Sequence, residues 1–337
     1  TTNGGVDTLT QSLSITVTPV NDAPLATGSA TLAAVLEDTA SPAGDTVANL
    51  FLANFSDSTD NSGTSSANTL AGIAITANAA TSTQGKWQWQ ASGSSSWTDI
   101  ATTGLADTTA LFLASTTSIR FLPAVNFNGL PGSLTTRLIE SPATGFSNGV
   151  TASVSSNGGT TSISAATVAL GTSITAVNDI PLLTSAAPSA ISVAEDSTNS
   201  SAASLGLSSL SYGPGGASDE SSQTFTYTLT GIPAFINVFK ADGSTPVTAG
   251  TTLADLNELQ GLTYKTVANA NGTGSLTWSV QDSGGTTNGG VDTLTQSLSI
   301  TVTPVNDAPL ATGSATLAAV LEAVSYTHLR AHETRED

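Results

Sequence analysis

The sequence predicts an all-β protein built from antiparallel β-sandwiches arranged in tandem. Charged residues make up only 9% of the chain, against about 25% in ordinary globular proteins, and small polar residues take their place. Short stretches alternate apolar and polar residues, and turn-forming clusters such as NGG, GPGG and DSGG separate them. Long helices with salt-bridged faces do not fit this composition.

The alternating stretches place apolar side chains on one face of each predicted strand. They are SLSITVTPV with Leu13, Ile15 and Val17, TFTYTLT with Phe225, Tyr227 and Leu229, and SLTWSVQD with Leu276, Trp278 and Val280. Several such strands per domain, without helical periodicity, are typical of a β-sandwich. One stretch, LADLNELQGL (253–262), predicts a short helical turn.

The chain contains repeats at two levels. Residues 1–37 and 286–322 are identical, so the underlying unit is a 285-residue tandem repeat. Inside it, PVNDAP (19–24 and 304–309) recurs as AVNDIP (176–181), and residues 119–140 align with residues 262–282. The unit therefore contains two homologous domains, the first longer than the second.

These repeats predict the domain organisation. Residues 1–22 are expected to be the C-terminal strand of a preceding repeat, 23–179 a long sandwich, 180–307 a second sandwich, and 308–322 the start of the next repeat. The chain has no Met, so we expect it to be an internal piece of a longer protein, in which the absence of a signal peptide is uninformative.

The tail has a different character. VSYTHLRAHET (324–334) resembles the translated adapter of a transposase-based sequencing library. Ala323 stands where the first copy has Asp38, and codons for both residues begin with G, so one genomic base followed by adapter explains the change. We interpret residues 323–337 as an artefact of a metagenomic-type fragment. Both histidines, His328 and His332, lie in it.

Charge and composition exclude several classes of function. The net charge of −18 disfavours nucleic acid, which requires Lys and Arg, and favours divalent cations that relieve acidic repulsion. The chain has no Cys, which excludes disulfides, thiolate zinc sites and a cysteine nucleophile. No apolar stretch predicts a membrane span. Without a histidine before residue 323, Ser-His-Asp catalysis is excluded, and no carboxylate pair marks a cleft, so we predict no enzyme.

The most informative motif lies where one predicted domain joins the next. Val-Asn-Asp-x-Pro supplies an amide and a carboxylate there, and Glu-Asp follows a short run later; Ca²⁺ takes six to eight such oxygens. The predicted ligands are Asn21, Asp22, Glu37, Asp38, Glu140, Asn178, Asp179, Glu195, Asp196, Asp219, Glu220, Asp282, Asn306 and Asp307, with the loop acids Asp57 and Asp60 as further candidates. The alternative is that Asn and Asp only form a turn before Pro.

The tryptophans allow a second interpretation. If Trp87, Trp89 and Trp97 were exposed, they could stack on sugar rings, and the chain would be a carbohydrate-binding module of a surface protein. If Trp87 and Trp89 share the inward face of a hairpin, they fill the core instead.

ITVTPVNDAP followed by EDT resembles the cadherin-like and related immunoglobulin-like repeats of giant bacterial surface adhesins. ANANGTGSLTWSVQDSGG, and GKWQWQASGSSSWTDI with IRFLPAVNFNG, are similar to segments common in those repeats. By this resemblance Asn178 and Asp179 match part of the cadherin linker motif, and Glu37 and Glu195 its early-strand glutamate. Where cadherins have an internal Asp-x-Asp, this chain has Ser-Asp-x-x-Asp and Ser-Asp-Glu.

The resemblance implies a location and a role. It implies extracellular, type I-secreted stalks at the bacterial cell surface that are stiffened by Ca²⁺ and act in cell adhesion or biofilm formation. The implied partners are neighbouring repeats of the same chain, cell-surface or matrix glycans, and other adhesin copies.

Overall fold

A computed structural model describes residues 3–61, 65–143, 146–197, 201–309, 312–316 and 319. The protein is all-β, with two packed bodies that each enclose a hydrophobic core of their own. The predicted adapter-like tail, 323–337, lies outside the described residues, as do 310–311, 317–318 and 320–322 of the predicted start of the next repeat. No helix in the described ranges is long and apolar enough to cross a membrane.

The described part of the first sandwich contains fourteen strands and one short α-helix. The strands are β1 Leu25–Ala26, β2 Ser29–Thr31, β3 Val35–Leu36, β4 Asp45–Thr46, β5 Phe55–Ser56, β6 Thr69–Asn78, β7 Gly85–Gln90, β8 Thr98–Asp99, β9 Ala110–Ala114, β10 Ser118–Pro123, β11 Leu134–Ser141, β12 Thr151–Ala152, β13 Val168–Gly171 and β14 Ile174–Thr175; the helix is α1 Val47–Phe51. A sheet ordered β12-β9-β6-β11-β13-β2 packs over one ordered β4-β10-β7-β8, and β1 pairs with β5 and β3 with β14.

The core of the first sandwich forms around large side chains that alternate along these strands. Trp87 and Phe121 are fully buried and meet edge to face with ring centroids 5.2 Å apart. The Trp87 Nε1–H donates to the Gly132 carbonyl at 2.8 Å, so its one polar atom is satisfied in the interior.

The second sandwich repeats this plan, with eleven strands among its described residues. They are β15 Leu182–Leu183, β16 Ile191–Ala194, β17 Ala203–Ser204, β18 Tyr212–Gly213, β19 Phe225–Gly231, β20 Ile236–Phe239, β21 Pro246–Val247, β22 Thr252–Leu253, β23 Thr263–Thr266, β24 Gly272–Asp282 and β25 Thr293–Thr303; the helix is α2 Leu256–Gln260. Sheets ordered β16-β25-β24-β19-β22 and β17-β23-β20-β21 enclose Trp278, whose Nε1–H donates to the Tyr212 hydroxyl at 2.9 Å.

The sheets are not wholly antiparallel. In each sandwich a strand near the beginning pairs in parallel with a strand near the end, as β2 does with β13, β3 with β14 and β16 with β25. Parallel neighbours need a long crossover rather than a hairpin, and here nearly the whole domain lies between the two strands. Because both strands of such a pair run in the same direction, the chain enters at one end of each sandwich and leaves at the other.

The helical turn predicted in 253–262 is confirmed. It is α2, whose N-cap Asp255 accepts from the Glu258 backbone N–H at 2.9 Å. The sequence reasoning missed α1, which begins after Thr46; the Thr46 hydroxyl accepts from Asn49 N–H at 3.2 Å. The strands predicted around Tyr227 and Trp278 are confirmed as β19 and β24.

The repeated segment has two different environments. In the second copy it forms β25, between β16 and β24, and Leu298, Ile300 and Val302 are at most 1% exposed. In the first copy residues 5–20 lie in no strand, and the equivalent Leu13, Ile15 and Val17 are 77–86% exposed. The prediction for the first copy is the C-terminal strand of a preceding repeat, and nothing in the described chain takes the places of β16 and β24 beside it, so it stays a prediction.

Candidate metal centre

Each sandwich carries a group of acidic and amide side chains at the end where the chain enters. In the first sandwich we name this group the N-terminal cluster, and it consists of Asn21, Asp22, Asp57, Asp60, Asn68 and Glu140. Its members come from the Val-Asn-Asp motif, from the 3-10 helix Ser58–Asp60 and the residue before it, from the position before β6, and from β11. Three of its carboxylates, Asp57, Asp60 and Glu140, are buried.

Amide groups hold the carboxylates of the N-terminal cluster together. Asn21 Nδ2 donates to Glu140 Oε1 at 2.6 Å, and Asn68 Nδ2 donates to Asn21 Oδ1 at 3.0 Å. The backbone N–H of Asp22 donates to Asp60 Oδ1 at 3.0 Å, and that of Asn68 donates to Asp57 Oδ2. The motif residues are thereby fixed against the loop acids.

Two buried oxygens of this cluster have no hydrogen-bond donor in the described chain, Asp57 Oδ1 and Glu140 Oε2. Glu140 is fully buried. Burial raises its pKa to about 7, the charges of Asp57 and Asp60 act in the same direction, and the hydrogen bond from Asn21 opposes them. A buried carboxylate without a donor is costly unless a proton or a cation neutralises it. The cluster therefore has the electrostatics of a cation site.

The second sandwich has the equivalent arrangement between the two bodies. We name this group the central cluster; it comprises Asn178, Asp179, Asp219, Glu220, Gln223 and Asp282 of the second sandwich with Glu37, Asp38, Asn126 and Asn128 of the first. Asn178 Nδ2 donates to Asp282 Oδ1 at 3.1 Å, as Asn21 does to Glu140. The Asp179 N–H donates to Glu220 Oε1, as Asp22 does to Asp60.

The first sandwich completes the central cluster from its exit end. Glu37 Oε1 accepts from the Val177 N–H at 2.9 Å, and Glu37 Oε2 accepts from Asn128 Nδ2 at 3.0 Å. Asn128 Nδ2 also donates to Asp219 Oδ1 of the second sandwich. One amide group thus connects carboxylates of both sandwiches.

Like charges crowd the central cluster across the junction. Burial, followed by the charges of Asp219 and Asp38, raises the pKa of Glu37. Burial, with the charges of Asp38 and Asp219, likewise raises the pKa of Asp179. The ion pairs of the described residues are Lys86–Asp99, Arg137–Asp107 and Lys240–Glu258, and none of them involves this cluster. The described side chains therefore leave its charge unneutralised.

Glu220 is the most deeply buried acid of the central cluster. It is 0% exposed, and its Oε2 has no hydrogen-bond donor in the described ranges. Burial is the largest cause that raises its pKa, and the charges of Asp179, Asp219 and Asp282 add to it. This is the same combination that marks Glu140 in the N-terminal cluster.

The Glu-Asp motif forms a tight turn in each sandwich, and this turn explains why Asp stands at its second position. It forms the turn after β3, where Asp38 adopts a left-handed φ of 58°, and the turn after β16, where Asp196 has φ of 65°. Asp and Asn are the side chains that tolerate this region best. Thr39 and Ser197 close the two turns by donating to the carbonyls of Leu36 and Ala194, each at 2.7 Å.

Glycine allows the close approach of the loop 213–216 to the central cluster. A Cβ at Gly215 would lie 2.0 Å from the Asp179 Cβ and 2.3 Å from Glu220 Oε2. A Cβ at Gly216 would lie 1.6 Å from Asn126 Nδ2. The GPGG turn therefore has no room for side chains where it contacts the acids.

The end where the chain leaves the second sandwich carries counterparts of those central-cluster residues that the first sandwich contributes, and of no others among the described residues. We name it the C-terminal half-site: Glu195, Asp196, Asn269 and Asn271. Glu195 accepts from the Val305 N–H at 2.7 Å and from Asn271 Nδ2 at 3.2 Å, as Glu37 does from Val177 and Asn128. The predicted ligands Asn306 and Asp307 follow it and are exposed.

The structure thus groups the predicted ligands into three sets. Asn21, Asp22 and Glu140 meet in the first; Glu37, Asp38, Asn178, Asp179, Asp219, Glu220 and Asp282 in the second; Glu195 and Asp196 in the third. Sequence reasoning missed the amide partners Asn68, Gln223, Asn128 and Asn271. The last two carried a usable signal, because they occupy the same position in the aligned NxNG segments.

The tryptophans belong to the packing of the first sandwich. Trp87 is fully buried and Trp89 packs against the same core. Trp97 is half-buried, and the Arg120 guanidinium lies 4.2 Å from its ring centroid. The described structure offers no row of exposed tryptophan rings for sugars.

The described acids alone do not form a preformed cage for a metal ion. Within the described ranges, no group of three or more His, Cys, Asp or Glu side chains is arranged to hold a metal ion. The candidate ligands are nevertheless carboxylate and amide side chains, whose oxygens suit hard Ca²⁺ rather than a transition metal. The orphaned buried oxygens of Asp57, Glu140 and Glu220 lie in the two clusters and fit such an ion.

Comparison with known proteins gives similarity to solved structures only. No protein-family model matches the sequence, and no curated protein matches it significantly. The chain is similar to mouse cadherin-23 EC22–24, with 15% identity, a TM-score of 0.34 and 85% of this chain covered, and it spans 65% of that chain. It is also similar to the CupB6 tip adhesin from Pseudomonas aeruginosa (12% identity, TM-score 0.26, covering 85% of this chain and 99% of that one) and to titin domains z1z2 in complex with telethonin (13%, 0.16, 71% and 100%).

Proposed function

We propose that the chain is a calcium-stiffened stalk segment of a large secreted or cell-surface bacterial adhesin. Its β-sandwiches act as spacers in a tandem array during cell adhesion or biofilm formation, with neighbouring repeats as their immediate partners. The observation that carries the proposal is the pair of buried acids, Glu140 and Glu220, each with an oxygen that has no donor in the described chain. No residue is assigned a catalytic role.

The two sandwiches would share the ion at the central cluster. A bound Ca²⁺ supplies two positive charges and takes six to eight oxygen ligands. Glu37 comes from the first sandwich, and Asp179 and Glu220 come from the second, so neutralising their mutual repulsion favours one relative position of the two bodies. Stiffening is then the direct consequence of sharing ligands across the junction.

The amide side chains would change their hydrogen bonds when Ca²⁺ binds to the cluster. Asn178 now donates to Asp282 with its Nδ2 and accepts from Gln223 at 2.6 Å with its Oδ1. An amide that rotates about its terminal bond exchanges a donor for an acceptor with little change in shape. Asn178 and its counterpart Asn21 can therefore offer oxygen to a cation in the place where they now offer N–H groups.

Calorimetric titration of the full chain with Ca²⁺, alongside Mg²⁺, tests the proposal. We expect Ca²⁺ binding that raises the melting temperature, and much weaker binding of Mg²⁺, which demands a rigid octahedral site. A chain that binds no Ca²⁺ and melts at the same temperature in Ca²⁺ and in chelator would contradict the calcium assignment and leave a calcium-independent spacer.

The pH dependence of the N-terminal cluster provides a separate prediction. The folded-state pKa of Glu140 is about 7, above its ordinary value of 4.5, so protons compete with a cation for this carboxylate. We expect Ca²⁺ affinity at this cluster to fall roughly 10-fold between pH 8 and pH 6. In chelator the free energy of unfolding has the opposite pH dependence to the Ca²⁺ affinity. The stabilising contribution of protonated Glu140 is fully present below pH 4.5 and is lost as pH rises through about 7.

Calorimetry with Ca²⁺ between pH 8 and pH 6 checks the first trend. Thermal melting in chelator from below pH 4.5 to above about pH 7 checks the second, with Glu140→Gln as the matched variant. Glutamine keeps an oxygen for Asn21 but does not titrate, so the variant should lose the pH dependence of melting in chelator. An unchanged pH profile in Glu140→Gln would show that another group controls it.

A further inference from the structure

We propose that the outer face of one sheet of the first sandwich binds an acidic segment of a partner protein, and that a glutamate side chain of that segment pairs with Arg120. The sheet is the one ordered β4-β10-β7-β8. Trp87 and Phe121 point from β7 and β10 into the core. Side chains alternate along a strand, so Lys86, Gln88 and Arg120 lie on the outer face. None of them belongs to the acidic clusters, so the inference goes beyond the proposed function.

A chain of hydrogen bonds fixes the position of the Arg120 guanidinium on this face. Lys86 Nζ donates to Asp99 Oδ2 at 2.8 Å, and Gln88 Nε2 donates to Asp99 Oδ1 at 2.7 Å. Arg120 Nε then donates to Gln88 Oε1 at 2.8 Å. Trp97 packs over the guanidinium, whose carbon lies 4.2 Å from the ring centroid. The guanidinium is therefore held in one orientation before a ligand arrives, which lowers the entropic cost of binding.

Arg120 is a buried cation without a carboxylate partner in the described chain. It is 8% exposed, and burial lowers the pKa of its guanidinium. The ion pairs of the described residues involve Lys86, Arg137 and Lys240 instead. Two of the seven Lys and Arg residues of this acidic chain, Lys86 and Arg120, thus stand on one sheet face. A buried charge is costly unless it is paired, so a carboxylate from outside the chain complements this face.

The free donor of Arg120 is its Nη2. Nη1 donates to the Pro42 carbonyl at 3.2 Å and, at a long 3.4 Å, to the Ser41 hydroxyl, whereas Nη2 has no hydrogen bond within the described ranges. Nη2 is not among the buried polar atoms that lack a partner, so it is open to solvent. Ser41 is exposed, and its weak bond to Nη1 can be exchanged for that of an incoming oxygen. Nη1 and Nη2 can then donate side by side to one carboxylate.

The geometry favours a carboxylate on a flexible arm. Trp97 covers one face of the guanidinium, so a ligand approaches in its plane. A planar carboxylate fits that approach, whereas a tetrahedral phosphate or sulfate directs oxygens out of the plane towards the indole. Because Arg120 is recessed, a glutamate side chain reaches it at the end of its methylene chain, and a uronic acid, whose carboxylate is attached directly to the sugar ring, does not. The ligand class is therefore an acidic peptide segment.

Selection from a random-peptide display library tests what this face binds. We would select binders to the full chain in chelator, use Arg120→Gln as the counter-target, and measure dissociation constants of the selected peptides by fluorescence anisotropy. Ser41→Glu is a second variant, because a glutamate at this exposed position can pair with the guanidinium from within the chain. Ser41→Gln is its uncharged match, and Lys265→Gln removes a positive charge from β23 of the second sandwich.

We expect the selected peptides to be enriched in Glu and to bind roughly tenfold more weakly to Arg120→Gln and Ser41→Glu than to the native chain. Binding to Ser41→Gln and Lys265→Gln should stay within about twofold of native. Ser41→Glu should melt no lower than the native chain, which separates blocked binding from unfolding. Selected peptides without Glu enrichment, or with equal affinity for Ser41→Glu, would overturn the proposal. Displacement of the peptides by inorganic phosphate or oligogalacturonate at a concentration below their own dissociation constants would also overturn it, in favour of a phosphate or sugar ligand.

Discussion

Glu220→Gln is expected to stabilise the protein in chelator and to destabilise it, relative to the native chain, in Ca²⁺. Gln keeps the oxygen that accepts from the Asp179 N–H and removes a buried charge that faces Asp179, Asp219 and Asp282. Without a cation, removal of this repulsion should raise the free energy of unfolding by about 1 kcal/mol. In Ca²⁺ at about a hundred times its dissociation constant, the native chain gains about 2.7 kcal/mol that the variant largely loses.

Chemical denaturation of both chains, with and without Ca²⁺, measures this reversal of sign. Asp242→Asn is the matched control, because Asp242 is an exposed loop acid that accepts from Ser244 and Thr245 far from both clusters in sequence. It should shift stability equally under the two conditions and keep the full response to Ca²⁺. If Glu220→Gln destabilises the chain equally in Ca²⁺ and in chelator, Glu220 is a structural acceptor and not a ligand.

Trp87→Ala is expected to cost about 3–5 kcal/mol of unfolding free energy. Trp87 is 0% exposed, packs edge to face on Phe121 and donates to the Gly132 carbonyl, so its removal leaves a large cavity and an unpaired acceptor. Urea denaturation should place the midpoint far below that of the native chain.

Trp97→Ala is the control for this prediction. Its ring is half-buried and loses mainly the contact with the Arg120 guanidinium, which is worth about 0.5–1 kcal/mol. A Trp87→Ala chain with native stability would place that ring on the surface and revive the carbohydrate-binding alternative. Loss of polysaccharide binding in a folded Trp97→Ala chain would do so independently.

The sequence was sufficient for the architecture because its alternation of apolar and polar residues is strong. Tyr227, Leu229 and Trp278 are buried as their period-2 positions predict. What the pattern could not predict was the parallel pairing of β16 with β25, which depends on how the whole sandwich closes. The alternation also could not distinguish the two copies of the repeated segment, since burial requires neighbours that only one copy has.

The sequence could predict which acidic residues are candidate ligands, but it could not predict which of them lie together in the folded protein. Glu37 and Asp219 are far apart in the chain, and only the packing of the two sandwiches places Asn128 between them. The repeated Val-Asn-Asp and Glu-Asp motifs marked the two sides of each junction. Asn68 and Gln223 had no such signal, because single amides in polar loops are common in this sequence.

The central claim is that a cation at the central cluster fixes the two sandwiches relative to each other. The most direct measurement attaches spin labels to Ser82→Cys and Ala249→Cys, exposed positions on the first and second sandwich of a chain that has no other cysteine. The distribution of distances between the labels should be narrow in Ca²⁺ and broad in chelator, and Glu220→Gln should keep it broad in both. Equal widths in Ca²⁺ and chelator for the native chain would contradict the claim.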